Sequence, residues 1–102
     1  MTEAGWDAIA IDPRDDVAVL LRDVLAGTAV RVRVDGTLET VLAADVIALG
    51  HKIARRHIPA GAHVRKYGES IASASVDIAV GQHVHVHNIT SNRARKQEGS
   101  GR

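Results

Sequence analysis

Residues 81–88 read GQHVHVHN, with His83, His85 and His87 alternating with Val84 and Val86. Half of the chain's six histidines sit in this segment. Neutral imidazole ligates Zn, Fe, Ni or Cu and exchanges protons near neutral pH. Read as an extended strand, the segment places the histidines on one face and the valines, directed to the core, on the other. Alternate strand residues lie about 6.5–7 Å apart, so neighbouring imidazoles can converge on one ion. His83 and His87 would be about 13 Å apart on a straight strand and would not easily share it. A metal centre here therefore needs two of these histidines plus groups from elsewhere in the chain, or from another chain. The other reading is a solvated polar face.

Two further spots carry reactive side chains. Gly50-His51-Lys52 presents a candidate acid or base beside a cation suited to a carboxylate or phosphate. Arg55, Arg56 and His57 extend it as a basic run, either anion-binding or merely solvated. Lys66-Tyr67-Gly68-Glu69 holds the only Tyr, whose hydroxyl can orient a substrate or stay wet above a packed ring. Glu69 is a base, a ligand or a turn residue, and His63 reads as a surface strand residue.

Other chemistries are excluded. With no Cys there is no disulfide scaffold, thiolate metal site or thiol nucleophile. GxxxxGK[ST], HExxH and GxSxG motifs are absent. Thirteen Lys and Arg are interleaved with twelve Asp and Glu, without the concentrated basic face that nucleic acid requires. No apolar run is long enough for a membrane span or a signal peptide, so the cytoplasm is the expected compartment. One polar cluster without a complete triad suggests that a second chain finishes the site.

The elements that must position these groups are mostly short strands. One Trp, one Tyr and no Phe leave Val, Ile, Leu and Ala to build the core of a single domain. Residues 30–34 alternate strictly, and Asp35-Gly36 before residues 37–42 signals a hairpin. Asp15 or Asp16 can cap a short helix or open a strand over residues 17–21, and residues 43–49 can hold one helical turn at most. One device recurs four times, an aliphatic residue, two spacers, Gly, two spacers and another aliphatic: Val24–Gly27–Val30, Ile47–Gly50–Ile53, Ile58–Gly61–Val64 and Ile78–Gly81–Val84. Gly supplies a turn conformation, and the aliphatics anchor the chain on either side. The copies are unevenly spaced, which excludes a solenoid. The expected organisation is a leader over residues 1–11, a folded domain over 12–89 and a disordered basic tail over 90–102.

The segments DPRDDVAVLLRDVLAG and DVIALGHKIARRHIPAGAHVRKYGESIASASVDIAVGQHVHVHN resemble the SAF domain of the altronate and galactarate dehydratases, most clearly at GHKIA, KYG and GQHVHVHN. The resemblance implies a mostly β, compact β-clip fold with little helix. It implies a hydro-lyase that dehydrates a sugar acid to a 2-keto-3-deoxy acid with a divalent metal, typically Fe(II). It also implies a small subunit acting with a larger dehydratase-like catalytic subunit. On that basis the catalytic candidates are His51, Lys52 and His85. Lys66, Tyr67 and Asn88 are the substrate-binding candidates, and His83, His85 and His87 the metal-ligand candidates. Two alternatives remain: the small subunit of a sulfolactate sulfo-lyase, and a non-catalytic saccharide-binding or assembly module. Self-association into a homo-oligomer is a further expectation.

Overall fold

β-Branched runs broken by glycine turns favour short strands, and strands are what form. A computed structural model of the chain describes residues 5–91. Among these, nine strands and no helix occur: β1 (Ala8–Ala10), β2 (Val17–Leu20), β3 (Ala29–Val34), β4 (Thr37–Leu42), β5 (Lys52–Ala54), β6 (His63–Lys66), β7 (Glu69–Ala74), β8 (His83–Val84) and β9 (Ile89–Ser91). No helix is long and apolar enough to cross a membrane among the described residues. Residues 43–49 hold turns and a bridge in place of a helical turn, and residues 17–20 take the strand option.

The strands make a six-stranded sheet, ordered β4-β3-β1-β2-β5-β8, and a three-stranded sheet, ordered β6-β7-β9. The Asp35-Gly36 hairpin forms as expected, pairing Val34 with Thr37. Asp35 and Gly36 both have positive φ, the mark of the two-residue turn that matches strand twist. The alternation of β3 is literal: Val30, Val32 and Val34 are buried while Arg31 and Arg33 are exposed.

The four glycine devices are real, and they work in pairs. Val24 bridges Ile47, and Ile58 bridges Ile78. Gly27, Gly50, Gly61 and Gly81 all take φ between 85° and 90°. Each glycine N–H donates to a carbonyl at or just past a strand end, those of Ala43, Leu20, Ala74 and Ala54 respectively. In each pair an aspartate clamps the partner turn. Asp23 Oδ1 accepts from the Leu49 N–H and Asp77 Oδ1 from the Ala60 N–H, both at 2.8 Å.

Each pair closes over its own apolar cluster. Leu20, Val30, Val32, Ile47 and Ile53 lead the first, and Val17, Ile58, Val64, Ile78 and Val84 the second. β2 and β5 serve both: Ala18, Leu20 and Ile53 face the first cluster, Val17 and Ala54 the second. Burial on both faces makes these two strands the shared wall that joins the halves.

Both ends of the expected domain need correction. Residues 8–10, assigned to the leader, form β1 inside the larger sheet, antiparallel to β2 and parallel to β3, with Ala8 and Ala10 buried. Thr90 and Ser91, assigned to the tail, form β9 with Ile89 and pair with Ser73 and Ala72 of β7. In both places main-chain pairing with a neighbouring strand outweighs a weak local signal. The rest of the tail, and residues 1–4, lie outside the described residues.

Candidate functional site

The GQHVHVHN segment is a strand only at its start. β8 ends at Val84, which is buried; Val86 is 79% exposed. The expectation that both valines enter the core is therefore corrected. Asn88 is the reason. Its Oδ1 accepts from the His85 N–H at 2.9 Å, its Nδ2 donates to the His83 carbonyl at 2.8 Å, and its own N–H donates to the His85 carbonyl at 3.1 Å. These bonds close residues 85–88 into a turn, in which a side-chain amide replaces strand pairing. Asn88, a substrate-binding candidate, is buried with both amide atoms engaged in the scaffold.

The turn cancels the separation that a straight strand would impose. The His83 and His87 ring centroids are 5.3 Å apart, as are those of His83 and His85. β5 runs antiparallel to β8, pairing Ile53 with His83, which brings in the residue just before β5. His51 Nδ1 lies 2.9 Å from His83 Nε2, and its ring stacks on His85 at 4.5 Å between centroids. Ring nitrogens of His51, His83 and His85 all lie within 4.8 Å of one another. Of the metal candidates His83, His85 and His87, the structure thus groups two with His51, while His87 is exposed at the margin.

Main-chain contacts hold the cluster in place. Asp45 Oδ2 accepts from the His83 N–H at 2.9 Å, and the Gly81 carbonyl accepts from the Ala44 N–H at 2.8 Å. A Cβ at Gly81 would sit 2.0 Å from the Leu42 carbonyl oxygen, so only glycine fits. Asp45 escaped the sequence reading because its partner is 38 residues away and no local pattern links them.

The electrostatics favour the neutral forms of His83 and His85. Burial lowers the His83 pKa, and the neighbouring His51, His87 and His85 lower it further against the opposing pull of Asp45. The His85 pKa is lowered by desolvation, then by His51, Lys52 and His87. Half-buried Lys52 is also lowered, by desolvation and then by Lys66. Lys66 acts on Lys52 and Lys52 on His85, so the two lysines and the imidazoles lie along one stretch, with the Asp45 carboxylate at His83. Tyr67 stands at its far end, 58% exposed, with Lys66 Nζ 4.8 Å from the ring centroid. It takes φ +58° beside Gly68, and the buried Asp15 fixes the turn by accepting from the Gly68 N–H at 2.7 Å. Tyr67 is thus not buried in the core. It borders, with Lys66, a cleft of about 150 Å³ walled by Ile9, Val17 and Val19.

The remaining candidates are occupied elsewhere or stand apart. Arg55 is no free cation: its side chain is 6% exposed and pairs with Glu39 at 2.7 Å. His63 Nδ1 lies 2.9 Å from Ser70 Oγ on the smaller sheet, and Glu69 and His57 are exposed. A buried acid that the sequence reading missed is Asp7. Burial pushes its pKa up, but hydrogen bonds from the Arg31 side chain and backbone, and from Arg22, carry it down to about 2. It ties the start of the larger sheet to β3 and is a structural group.

The donor set suits a first-row divalent metal. Three neutral imidazoles are borderline ligands, and metal–nitrogen bonds of about 2.0–2.1 Å in a tetrahedral site place the nitrogens roughly 3.3 Å apart. That separation falls within the spread of the three ring nitrogens here.

The model of the altronate/galactarate dehydratase SAF domain matches residues 6–92. The chain belongs to this family. The match begins ahead of β1, in keeping with that strand's place in the larger sheet. Altronate dehydratase of Escherichia coli (strain K12) is 46% identical over 84 residues, which are 82% of this chain and 16% of that protein. Altronate dehydratase of Bacillus subtilis (strain 168) is 39% identical over the same shares. The (2R)-sulfolactate sulfo-lyase subunit alpha of Paracoccus pantotrophus is 45% identical over 47 residues, 46% of this chain and 70% of that one. The SAF chain thus corresponds to about one sixth of the length of the altronate dehydratases it matches.

Proposed function

We propose that this SAF domain is the small subunit of a sugar-acid dehydratase of the altronate/galactarate type and works in the cytoplasm with a larger catalytic chain. The observation that carries the reading is the convergence of His51, His83 and His85, with Lys52 and Lys66 along the same stretch, in a family member. A sugar acid brings a carboxylate beside a carbon that loses a proton and a neighbouring carbon that loses a hydroxyl. Lys52 and Lys66 attract and orient the carboxylate. A neutral imidazole, His85 or His51, takes the α-proton. A protonated neighbour returns a proton to the departing oxygen, so that water leaves and the new double bond rearranges to the keto acid. Fe(II), or a similar ion, would be held by the imidazoles that do not carry the proton, completed by groups of the larger chain, and would supply Lewis-acid polarisation of the carboxylate and leaving hydroxyl. The site lies at the surface of this small domain, so the larger chain supplies its remaining walls.

A second reading rests on the likeness to a chain named as the alpha subunit of a sulfo-lyase. The same groups would then orient a sulfonated acid, and sulfite would leave in place of water.

The test is purification of the chain with its partner from native extract, followed by assay on altronate, galactarate and sulfolactate with Fe(II). A larger co-purifying chain and a 2-keto-3-deoxy acid product support the dehydratase, and sulfite release supports the second reading. Turnover by this chain alone refutes the two-chain arrangement. No turnover of any of the three acids by the purified complex refutes the lyase reading and leaves a binding module.

A further inference from the structure

We infer that the Tyr67-Gly68 turn and the apolar cleft beside it form an anchor site for a partner protein, taking one leucine-sized side chain carried next to a carboxylate. Among the described residues, two hairpin turns have positive φ at both positions: Asp35-Gly36 at 45° and 87°, and Tyr67-Gly68 at 58° and 76°. Aspartate is an ordinary residue for the first position, because its short polar side chain tolerates the left-handed region. Tyrosine is not, and a bulky side chain held there is an outlier. Burial of the ring in the core would offset the strain, but Tyr67 is 58% exposed. Strain that the fold itself does not use points to a contact with something else. The turn is also rigid. Buried Asp15 accepts from the Gly68 N–H at 2.7 Å, and a Cβ at Gly68 would lie 2.7 Å from Arg14 Nη2 and 2.9 Å from Asp12 Oδ2. An exposed aromatic ring held on such a turn is pre-organised for binding.

The cleft sets the size of the guest. Ile9, Val17 and Val19 wall it, and Ile11, 56% exposed, extends its apolar edge. Its volume of about 150 Å³ is well below the roughly 300 Å³ at which small-molecule sites begin. A space of that size holds one ring or one branched aliphatic group, as does a pocket for a single anchor side chain of a protein partner. The charges set the neighbour of that side chain. Of the two charged residues lining the cleft, Asp15 is buried and its carboxylate accepts from the Gly68 and Asp12 N–H groups. The other is Lys66, whose Nζ lies 4.8 Å from the Tyr67 ring centroid. Glu69 stands opposite Lys66 across the turn, yet Lys66 makes no ion pair among the described residues. Arg14, beyond Gly68, is already paired with Asp12 at 2.8 Å. A carboxylate beside the seated side chain therefore meets Lys66. The Lys66 ammonium has three donors, so holding the partner leaves donors for an acid on the Lys52 side.

This inference does not rest on the lyase reading, and its test needs no turnover. The probe is the peptide acetyl-Glu-Leu-Glu-amide, titrated into the full ¹⁵N-labelled chain and followed by amide NMR. Saturable shifts should be confined to residues 9–19 and 66–68. Acetyl-Glu-Ala-Glu-amide and acetyl-Lys-Leu-Lys-amide should each bind roughly 10-fold more weakly or worse, since one removes the anchor and the other the charge match. Tyr67→Asn should weaken the peptide by a similar factor while raising the urea midpoint, because asparagine accepts the left-handed turn that strains tyrosine. Lys66→Met should bring the acidic and basic leucine peptides to equal affinity. No saturable shift up to about 10 mM peptide overturns the site. So do equal affinities for the leucine and alanine peptides, or a lower urea midpoint in Tyr67→Asn, which would show that the ring supports the fold. 4-Methylpentanoate binding as tightly as the peptide overturns the protein partner in favour of a free apolar acid.

Discussion

Asn88 holds His83 through its main chain: Nδ2 donates to the His83 carbonyl at 2.8 Å across five residues. The same amide receives the His85 N–H, so one buried side chain sets the direction of two imidazoles without touching either ring. Asn88→Ala should cost about 1–3 kcal/mol, the penalty of leaving buried backbone groups unpaired. It should also disperse the His83 and His85 ring resonances toward solvent-like values. Thermal unfolding with histidine NMR reads both. A variant of wild-type stability with unchanged resonances would show that the turn does not depend on Asn88.

Glycine positions of the same φ should differ sharply in tolerance. At Gly27 a Cβ meets nothing within 4 Å, so Gly27→Ala meets only the left-handed backbone cost of about 1–2 kcal/mol. At Gly81 the Cβ falls 2.0 Å from a carbonyl oxygen, and the Leu42–Ala44 segment must move. Gly81→Ala should lose about 3 kcal/mol or more, since a steric clash adds to the conformational term. Urea unfolding of the two variants compares them directly; equal losses would remove the close approach from the account.

The two aspartate clamps should act independently. Asp23→Ala and Asp77→Ala each free one turn N–H and should cost about 0.5–1.5 kcal/mol. The clamps serve different apolar clusters, so the double variant should match the sum within about 0.5 kcal/mol. A double-mutant cycle by chemical denaturation checks this, and a larger coupling would mean that the two turn pairs communicate.

Asp7 makes the fold sensitive to acid. Its pKa falls from 3.8 to about 2 on folding, so the unfolded chain binds this proton more readily. The stability it contributes is complete above pH 3.8 and declines as pH falls toward about 2. Asp7→Asn should flatten the stability profile across that window and lower stability at neutral pH. Denaturant midpoints measured from pH 2 to 7 test the slope; a parallel profile in the variant would exclude Asp7 as its source.

Much of this was legible in the residues. The Asp35-Gly36 hairpin and the four glycine turns carry local signals that depend on φ alone, and these formed as read. The gathering of His51 with the 83–87 histidines was only half visible. Alternation of Val84 and Val86 reads as strand, and nothing local shows that the Asn88 side chain outcompetes strand pairing after Val84. β1 is three residues long and joins β3 in parallel, so it offers neither a period nor a turn to detect. The roles of Asp45 and Asp7 depend on partners 38 and 24 residues distant, which only the folded topology brings near. Arg55 sits in a basic run yet turns inward to Glu39, a choice fixed by the neighbouring strand and not by its own segment.

The two paired turns have a kinetic consequence. His51 leaves the turn that pairs with Val24, whereas His83 leaves the turn that pairs with Ile58. The rings meet across 32 residues only when β5 and β8 have zipped together. Neither half can therefore nucleate the imidazole cluster by itself, and its appearance during refolding must wait for the slowest long-range closure. A chain caught with one half formed has no imidazole cluster. Competence at the cluster rises and falls with the cooperative folding of the whole.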